Sequence, residues 1–237
     1  MWMDAVDLRD FYASILGRVA RRMIGRRIRL LWPDVRGASM LGLGYAAPFL
    51  GVFRGEAERV IALMPAAQGV LHWPSDGPGL TALADETALP LADQSVDRAL
   101  LVHALECGEQ IRPMMRELWR VLADGGRLLV VVPNRHGLWA RFERTPFGHG
   151  RPYTPQQLSL SLRDALFTPY QSATALYVPP IRSRMLLSSA GAWEEIGQRC
   201  FQSFAGVVLF DASKQIFASK MVPAPSRQPR YAPATAR

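Results

Sequence analysis

Residues Gly126 to Trp139 read GRLLVVVPNRHGLW, with five consecutive apolar residues, Leu128 to Val132, at the centre. Gly125 and Gly126 precede that run, and Pro133 and Asn134 follow it. A short β-branched run between turn residues predicts a strand buried on both faces, as in a parallel sheet. Upstream, Ile111, Met114, Met115, Leu118, Val121 and Leu122 repeat at the helical period, which predicts a helix from Gln110 to Leu122. Ahead of it lies another apolar run, Ala99 to Val102. The unit is strand, helix, Asp-Gly-Gly turn, strand, a crossover that is right-handed in nearly all proteins. Ligands of such sheets sit outside the carboxyl ends of the strands. His103 and Asn134, which follow the two strands, are therefore the first polar candidates for a site.

Working outward, a chain of 237 residues with 49% hydrophobic content suits one α/β domain, with insertions or a small annex. No apolar run approaches the length of a membrane span. Asp4, Asp7 and Asp10 stand before any apolar segment, so no secretory signal is read there and a cytoplasmic location is expected. Cys107 and Cys200 have no metal-like spacing and suggest two reduced thiols. The net charge of +8 comes almost wholly from arginine, since lysine occurs only at 214 and 220. Arg18, Arg21, Arg22, Arg26, Arg27 and Arg29 crowd the N-terminal segment. Such a cluster is either a solvated helix face or a surface for an acidic partner or an anionic membrane. A nucleic-acid role is not expected, because no aromatic residues interleave the arginines and no RNA- or DNA-binding motif appears.

In chain order, Leu8 to Leu31 reads as one amphipathic helix on Phe11, Ile15, Val19 and Met23, with arginines on another face. Its expected role is to cover the domain. Strands are predicted at Ser39–Leu43, Val60–Leu63, Thr81–Ala84 and Val96–Val102, with a helix opening at Pro48 after the first. The Arg- and aromatic-rich loop from Pro133 to Tyr153 has the length of a functional lid or of a loop containing short helices. Thr154, Pro155 and Gln157 form a helix-start signature. Tyr170–Val178 and Val207–Phe217 read as strands, and Met185–Phe201 as a helix broken at Gly191 and Gly197. Three segments result: a basic N-terminal helix over 1–36, a main domain over 37–222 with its lid at about 133–153, and a disordered Pro/Arg tail over 223–237.

The glycine turn at Leu41 to Gly51, then LADETALPLADQSVDRALLVHALE, then RELWRVLADGGRLLVVVPN, together resemble the class I S-adenosylmethionine-dependent methyltransferases. The likeness is to the small-molecule group that includes the ubiquinone-biosynthesis type. It runs from about Gly37 to Ala165. It implies an α/β, Rossmann-like three-layer sandwich whose seven-stranded, mostly parallel sheet has the order 3-2-1-4-5-7-6. It also implies S-adenosylmethionine over the carboxyl ends of the first two strands, held by Gly42, Gly44, Tyr45, Met64, Asp85 and Glu86. Gly44 matches the first glycine of the family's Gly-x-Gly-x-Gly, but Ala46 and Pro48 stand at the next two, and Gly42 stands where an acid is usual. Met64 occupies the position of the acid that binds the ribose hydroxyls; Asp85 matches the acid that meets the adenine amino group. A lost charged hydrogen bond is worth about 1.5–3 kcal/mol, or roughly ten- to a hundredfold in affinity.

Methyl transfer from a sulfonium needs alignment more than a catalytic residue, though an alcohol or phenol acceptor often needs a base. His103 is the candidate base, and Asn134, His149 and Tyr153 are the candidate acceptor contacts, weighed against ordinary turn and loop roles. No metal-ligand spacing is present. Two functions are carried forward. One is an S-adenosylmethionine-dependent methyltransferase acting on a small, anionic or lipid-like acceptor. The alternative is a catalytically inactive methyltransferase-like binding or partner subunit, motivated by Gly42, Ala46, Pro48 and Met64.

Overall fold

The computed structural model describes residues 2–181 and 183–215. The chain opens with α1 (Ala5–Ala13) and α2 (Ile15–Leu31), then runs β1 (Ser39–Gly44), α3 (Ala47–Leu50), β2 (Arg59–Pro65), β3 (Thr81–Ala84) and β4 (Val96–Val102). There follow α4 (Ile111–Val121), β5 (Leu122–Pro133), α5 (Pro155–Asp164), β6 (Phe167–Ala175), α6 (Arg184–Ser188), α7 (Ala190–Cys200) and β7 (Val207–Lys214). The seven strands form one sheet of order β3-β2-β1-β4-β5-β7-β6. The pairings among β1 to β5 are parallel, and β7 lies antiparallel to both β5 and β6. The expected fold class and strand order are both present.

Strand period two divides the core. Leu128, Val130 and Val132 of β5 pack on the face that carries α4 and α5, while Leu129 and Val131 face α2. Because both faces are covered, the run has to be apolar throughout, which is why it was legible. Its strand begins earlier than the run, at Leu122, and Gly125 supplies a left-handed residue (φ +74°) where the chain turns. At α5 the Thr154 hydroxyl accepts from the Gln157 amide and the Gln157 side chain accepts from the Thr154 amide, a complete capping box.

Four boundaries differ from expectation. The N-terminal helix is two helices meeting at Ser14, whose hydroxyl accepts from Gly17 N (3.0 Å) and caps α2. Leu8, Tyr12, Leu16, Ala20 and Ile24 are buried; of the face read from the sequence, Met23 is buried, Phe11 and Val19 are partly buried against the core, and Ile15 is exposed. The helix after β1 is a single turn, Ala47–Leu50, continued by a 3-10 turn at Gly51–Phe53. The break in the 185–201 segment falls at Ser189, with Gly191 and Gly197 inside α7. Gly197 is needed for packing, since a Cβ there would run into the Tyr177 ring. The sixth strand starts at Phe167 and ends at Ala175. The 223–237 tail lies outside the described residues.

Candidate functional site

The carboxyl ends of β1, β2 and β4 meet beneath α1, and Gly44, Tyr45, Met64 and His103 of the expected site residues gather there. Gly44 ends β1 with φ +78°; a Cβ on it would lie 2.5 Å from Val102 O. Only glycine lets β1 turn this close to β4, and Tyr45 N then donates to Val102 O (2.8 Å). Gly42 is fixed by packing: a Cβ there would meet Leu50 Cδ1 at 2.5 Å and Ala46 Cβ at 2.8 Å. The glycine in the place of the family's acid is thus what lets α3 lie on β1.

His103 follows β4 in a left-handed conformation (φ +50°) and is buried. That conformation is uncommon for a residue with a Cβ and costs about 1 kcal/mol or more. It turns the imidazole into a chain of buried groups. His103 Nε2 lies 2.8 Å from the Tyr12 hydroxyl of α1, and Nδ1 lies 3.1 Å from Glu106 Oε1. With Glu106 ionised, Nδ1–H donates to the carboxylate and Nε2 accepts from Tyr12 O–H, which sets the tautomer. Burial, then the Glu106 charge and Tyr45, push the Tyr12 pKa well above the usual phenol value.

Aromatic rings fill the space around this chain. Tyr12 stacks on Tyr45 with centroids 5.6 Å apart and meets Phe49 edge-on at 5.7 Å. Phe147, from the long loop after β5, lies with its centroid 5.2 Å from that of the His103 ring. Met64 is buried at the end of β2. The loop after β2 anchors α1, because Ala5 N donates to Gln68 O (2.8 Å), and Gln68 Nε2 in turn donates to His103 O (3.4 Å). Two acceptors remain buried without a partner here, Gln68 Oε1 and Glu106 Oε2.

The other expected residues divide. Tyr153 comes close enough to Glu106 to be influenced by its charge; burial and that charge raise its pKa. The backbone of the 134–153 loop, which contains two short 3-10 helices, meets the same residue, as Arg151 N donates to Glu106 O (2.8 Å). Asn134 is turned away: its amide nitrogen donates to Ser203 O and Ala205 O, and its oxygen accepts from His136 N. His149 Nε2 pairs with Glu143 O (2.6 Å) within the same loop. Asp85 and Glu86 stand at the end of β3 on the outer side; Asp85 is exposed, and its Oδ1 accepts from the Thr87 amide and hydroxyl, which lowers its pKa. Sequence reading missed Tyr12 and Gln68, while Phe147 was among the loop aromatics read as able to pack on a substrate. The spacing Leu8, Tyr12, Leu16, Ala20 carried the signal for Tyr12.

A family profile described as a methyltransferase domain matches residues 41–130, from β1 through most of β5. Residues 41–130 are therefore similar to a methyltransferase domain, and the sheet that contains them has the order expected of that Rossmann-like fold. No curated protein sequence matches it. A Thermotoga maritima S-adenosylmethionine-dependent methyltransferase, described as a possible histamine N-methyltransferase, superposes with TM-score 0.62 at 17% identity, covering 89% of this chain and 96% of that one. A Mesorhizobium loti S-adenosylmethionine-dependent methyltransferase gives TM-score 0.56 at 15% identity, covering 86% and 100%. The 1,6-didemethyltoxoflavin N1-methyltransferase of Burkholderia thailandensis, with its substrate and S-adenosylhomocysteine bound, gives 0.53 at 16%, covering 86% and 79%. At these identities the likeness is one of fold.

Around His103 the residues present fit S-adenosylmethionine in polarity but not in space. The polar groups fit: the unpaired acceptors Gln68 Oε1 and Glu106 Oε2 suit the ammonium and hydroxyl donors of S-adenosylmethionine, and Asp85 keeps a second oxygen free. The space does not fit while α1 is seated. Leu8, Tyr12, Tyr45 and Met64 are all buried there, and no charged group stands at Met64 to hold a ribose.

Proposed function

We propose that the protein is an S-adenosylmethionine-dependent methyltransferase of a small acceptor, and that α1 is the cover of its site. The observation that carries this reading is the pair of buried, unpaired acceptors beneath α1, Gln68 Oε1 and Glu106 Oε2. An unpaired buried polar group costs about 1–3 kcal/mol. A fold that had given up ligand binding gains nothing from keeping two of them at the carboxyl ends of β2 and β4.

The cofactor, when bound, supplies an electrophilic methyl group. The chain's own residues do the rest. Glu106 Oε1 holds Nδ1–H, so His103 presents Nε2 as a base toward the space that Tyr12 vacates, ready to take a proton from an acceptor hydroxyl or amine. Tyr153 and Phe147 shape the lid side of that space, and Asp85 offers its carboxylate to the nucleoside. A lipid-like or anionic acceptor is consistent with the aromatic lining and with the Arg151 guanidinium, whose charge reaches Tyr153.

Calorimetric titration with S-adenosylhomocysteine tests the reading. Binding is expected for the natural chain and should tighten for Tyr12→Ala, because a cover that leaves more readily raises the competent fraction. Asp85→Ala should weaken it about tenfold or more, with Met64→Ala near neutral. No heat with either the natural chain or a folded Tyr12→Ala variant would overturn the enzyme and leave the inactive partner subunit.

A further inference from the structure

The arginines of α2 line a second feature, remote in chemistry from His103. A groove of about 1190 Å³ runs along α2 and is bounded by the α3 region and by α6. Its rim carries Arg18, Arg21, Arg22, Arg26 and Arg29, while Ile15, Val19, Pro48, Phe49 and Val52 supply apolar surface. One acid, Glu56, enters the groove, and Arg29 pairs with it at 2.9 Å. Arg21, Arg22 and Arg26 are exposed and make no ion pair among the described residues.

On geometry alone this face would solvate well as a charged helix, but the apolar part does not suit that role. Ile15 and Val52 are 50% and 59% exposed in a groove otherwise ringed by guanidinium groups. A nucleic acid would neutralise the arginines yet leave those side chains in water. It would also find no stacking platform, since Phe49, the groove's only aromatic residue, is itself buried. A phospholipid surface satisfies both parts: phosphates reach the arginines while glycerol and upper acyl carbons cover Ile15, Val19 and Val52.

We infer that the α2 groove is a docking site for a bilayer surface rich in anionic phospholipid. Such a site places the protein where a lipid-like acceptor is found, but it does not depend on methyl transfer and is tested without it. The probes are vesicles of phosphatidylcholine alone and of phosphatidylcholine mixed with phosphatidylglycerol, sedimented with the full chain. Binding is expected only to the mixed vesicles and should fall as salt rises. Arg21→Glu, Arg22→Glu and Arg26→Glu together should weaken it by about a hundredfold or more, at roughly fivefold per lost cation and more for reversal. The corresponding three lysine substitutions should retain binding, and all three sites are exposed, so both variants should melt like the natural chain. Ile15→Ser with Val52→Ser should also weaken vesicle binding; an unaffected response would overturn the inference in favour of a general polyanion site. Equal binding to neutral vesicles, no sedimentation with either, or tighter retention on single-stranded RNA than on mixed vesicles would each overturn it.

Discussion

Tyr12 stands at the meeting of cover and site, and its hydroxyl is the nearest polar group of α1 to His103. Replacing it by phenylalanine leaves the rings packed but strips His103 Nε2 of its partner. The expected cost is about 1–3 kcal/mol in a denaturant melt at neutral pH. The phenol also imposes a pH dependence with a definite sign. Its folded pKa lies above the ordinary value of 10.0. The folded state therefore holds the proton more tightly, and the stability from this group is complete below pH about 10, then lost as pH rises toward the folded pKa. Urea melts across that range should show a steeper alkaline decline for the natural chain than for Tyr12→Phe. Parallel declines would mean that other groups, Tyr45 at about 12 among them, govern the alkaline limb. At this scale the sequence was partly legible. His103 and Tyr153 were singled out because strand ends and long loops are where such sheets bind, and both lie near Glu106, while Tyr12 was hidden by taking Phe11 as the buried neighbour. The two residues are adjacent on one helix, and only packing tells which is inside.

Elements follow the same division between what period reveals and what contact decides. The apolar runs of β1, β4 and β5 were plain because both sheet faces are covered, and the Thr154 cap was plain because its hydrogen bonds are local. The break at Ser14 was not, since it rests on a tertiary constraint: a Cβ at Gly17 would collide with Phe11 O, so the corner between α1 and α2 is as close as glycine allows. β7 shows another contact the pattern could not foretell. It enters the sheet antiparallel between β5 and β6 and carries Asp211, wholly buried. Arg127 of β5 meets that carboxylate with two guanidinium nitrogens, and Gln171 Nε2 of β6 adds a donor at 3.3 Å. Three strands are thereby tied through one side chain. Arg127→Ala should destabilise by about 3–5 kcal/mol, because it strands a buried charge, whereas Arg127→Ala with Asp211→Ala should recover part of the loss. Equilibrium unfolding of both variants checks this; a double variant no more stable than the single would show that the pair's packing matters more than its charge.

Across the whole molecule, one sheet face carries α4 and α5, and the other carries α2 with α1 reaching over its carboxyl edge. The helix that closes the candidate methyl-transfer site is thus continuous, through Ser14, with the helix whose outer face bears the arginines. If a nucleoside and α1 compete for the same volume, thermodynamic reciprocity requires that the ligand loosen α1 by as much as α1 weakens the ligand. Hydrogen exchange of the full chain makes that measurable. Amides of Ala5–Ala13 are protected by helix bonds and by the Ala5 N to Gln68 O link. Saturation with S-adenosylhomocysteine should speed their exchange while slowing that of β1 and the loop after β4. The amides of α2, buried against the sheet along Ala20, Ile24 and Ile28, should not change. Binding accompanied by slower exchange in α1 would mean the helix closes upon the ligand as a lid. The ligand would then lie beneath a seated Tyr12, and the cover would be part of the bound state instead of its competitor.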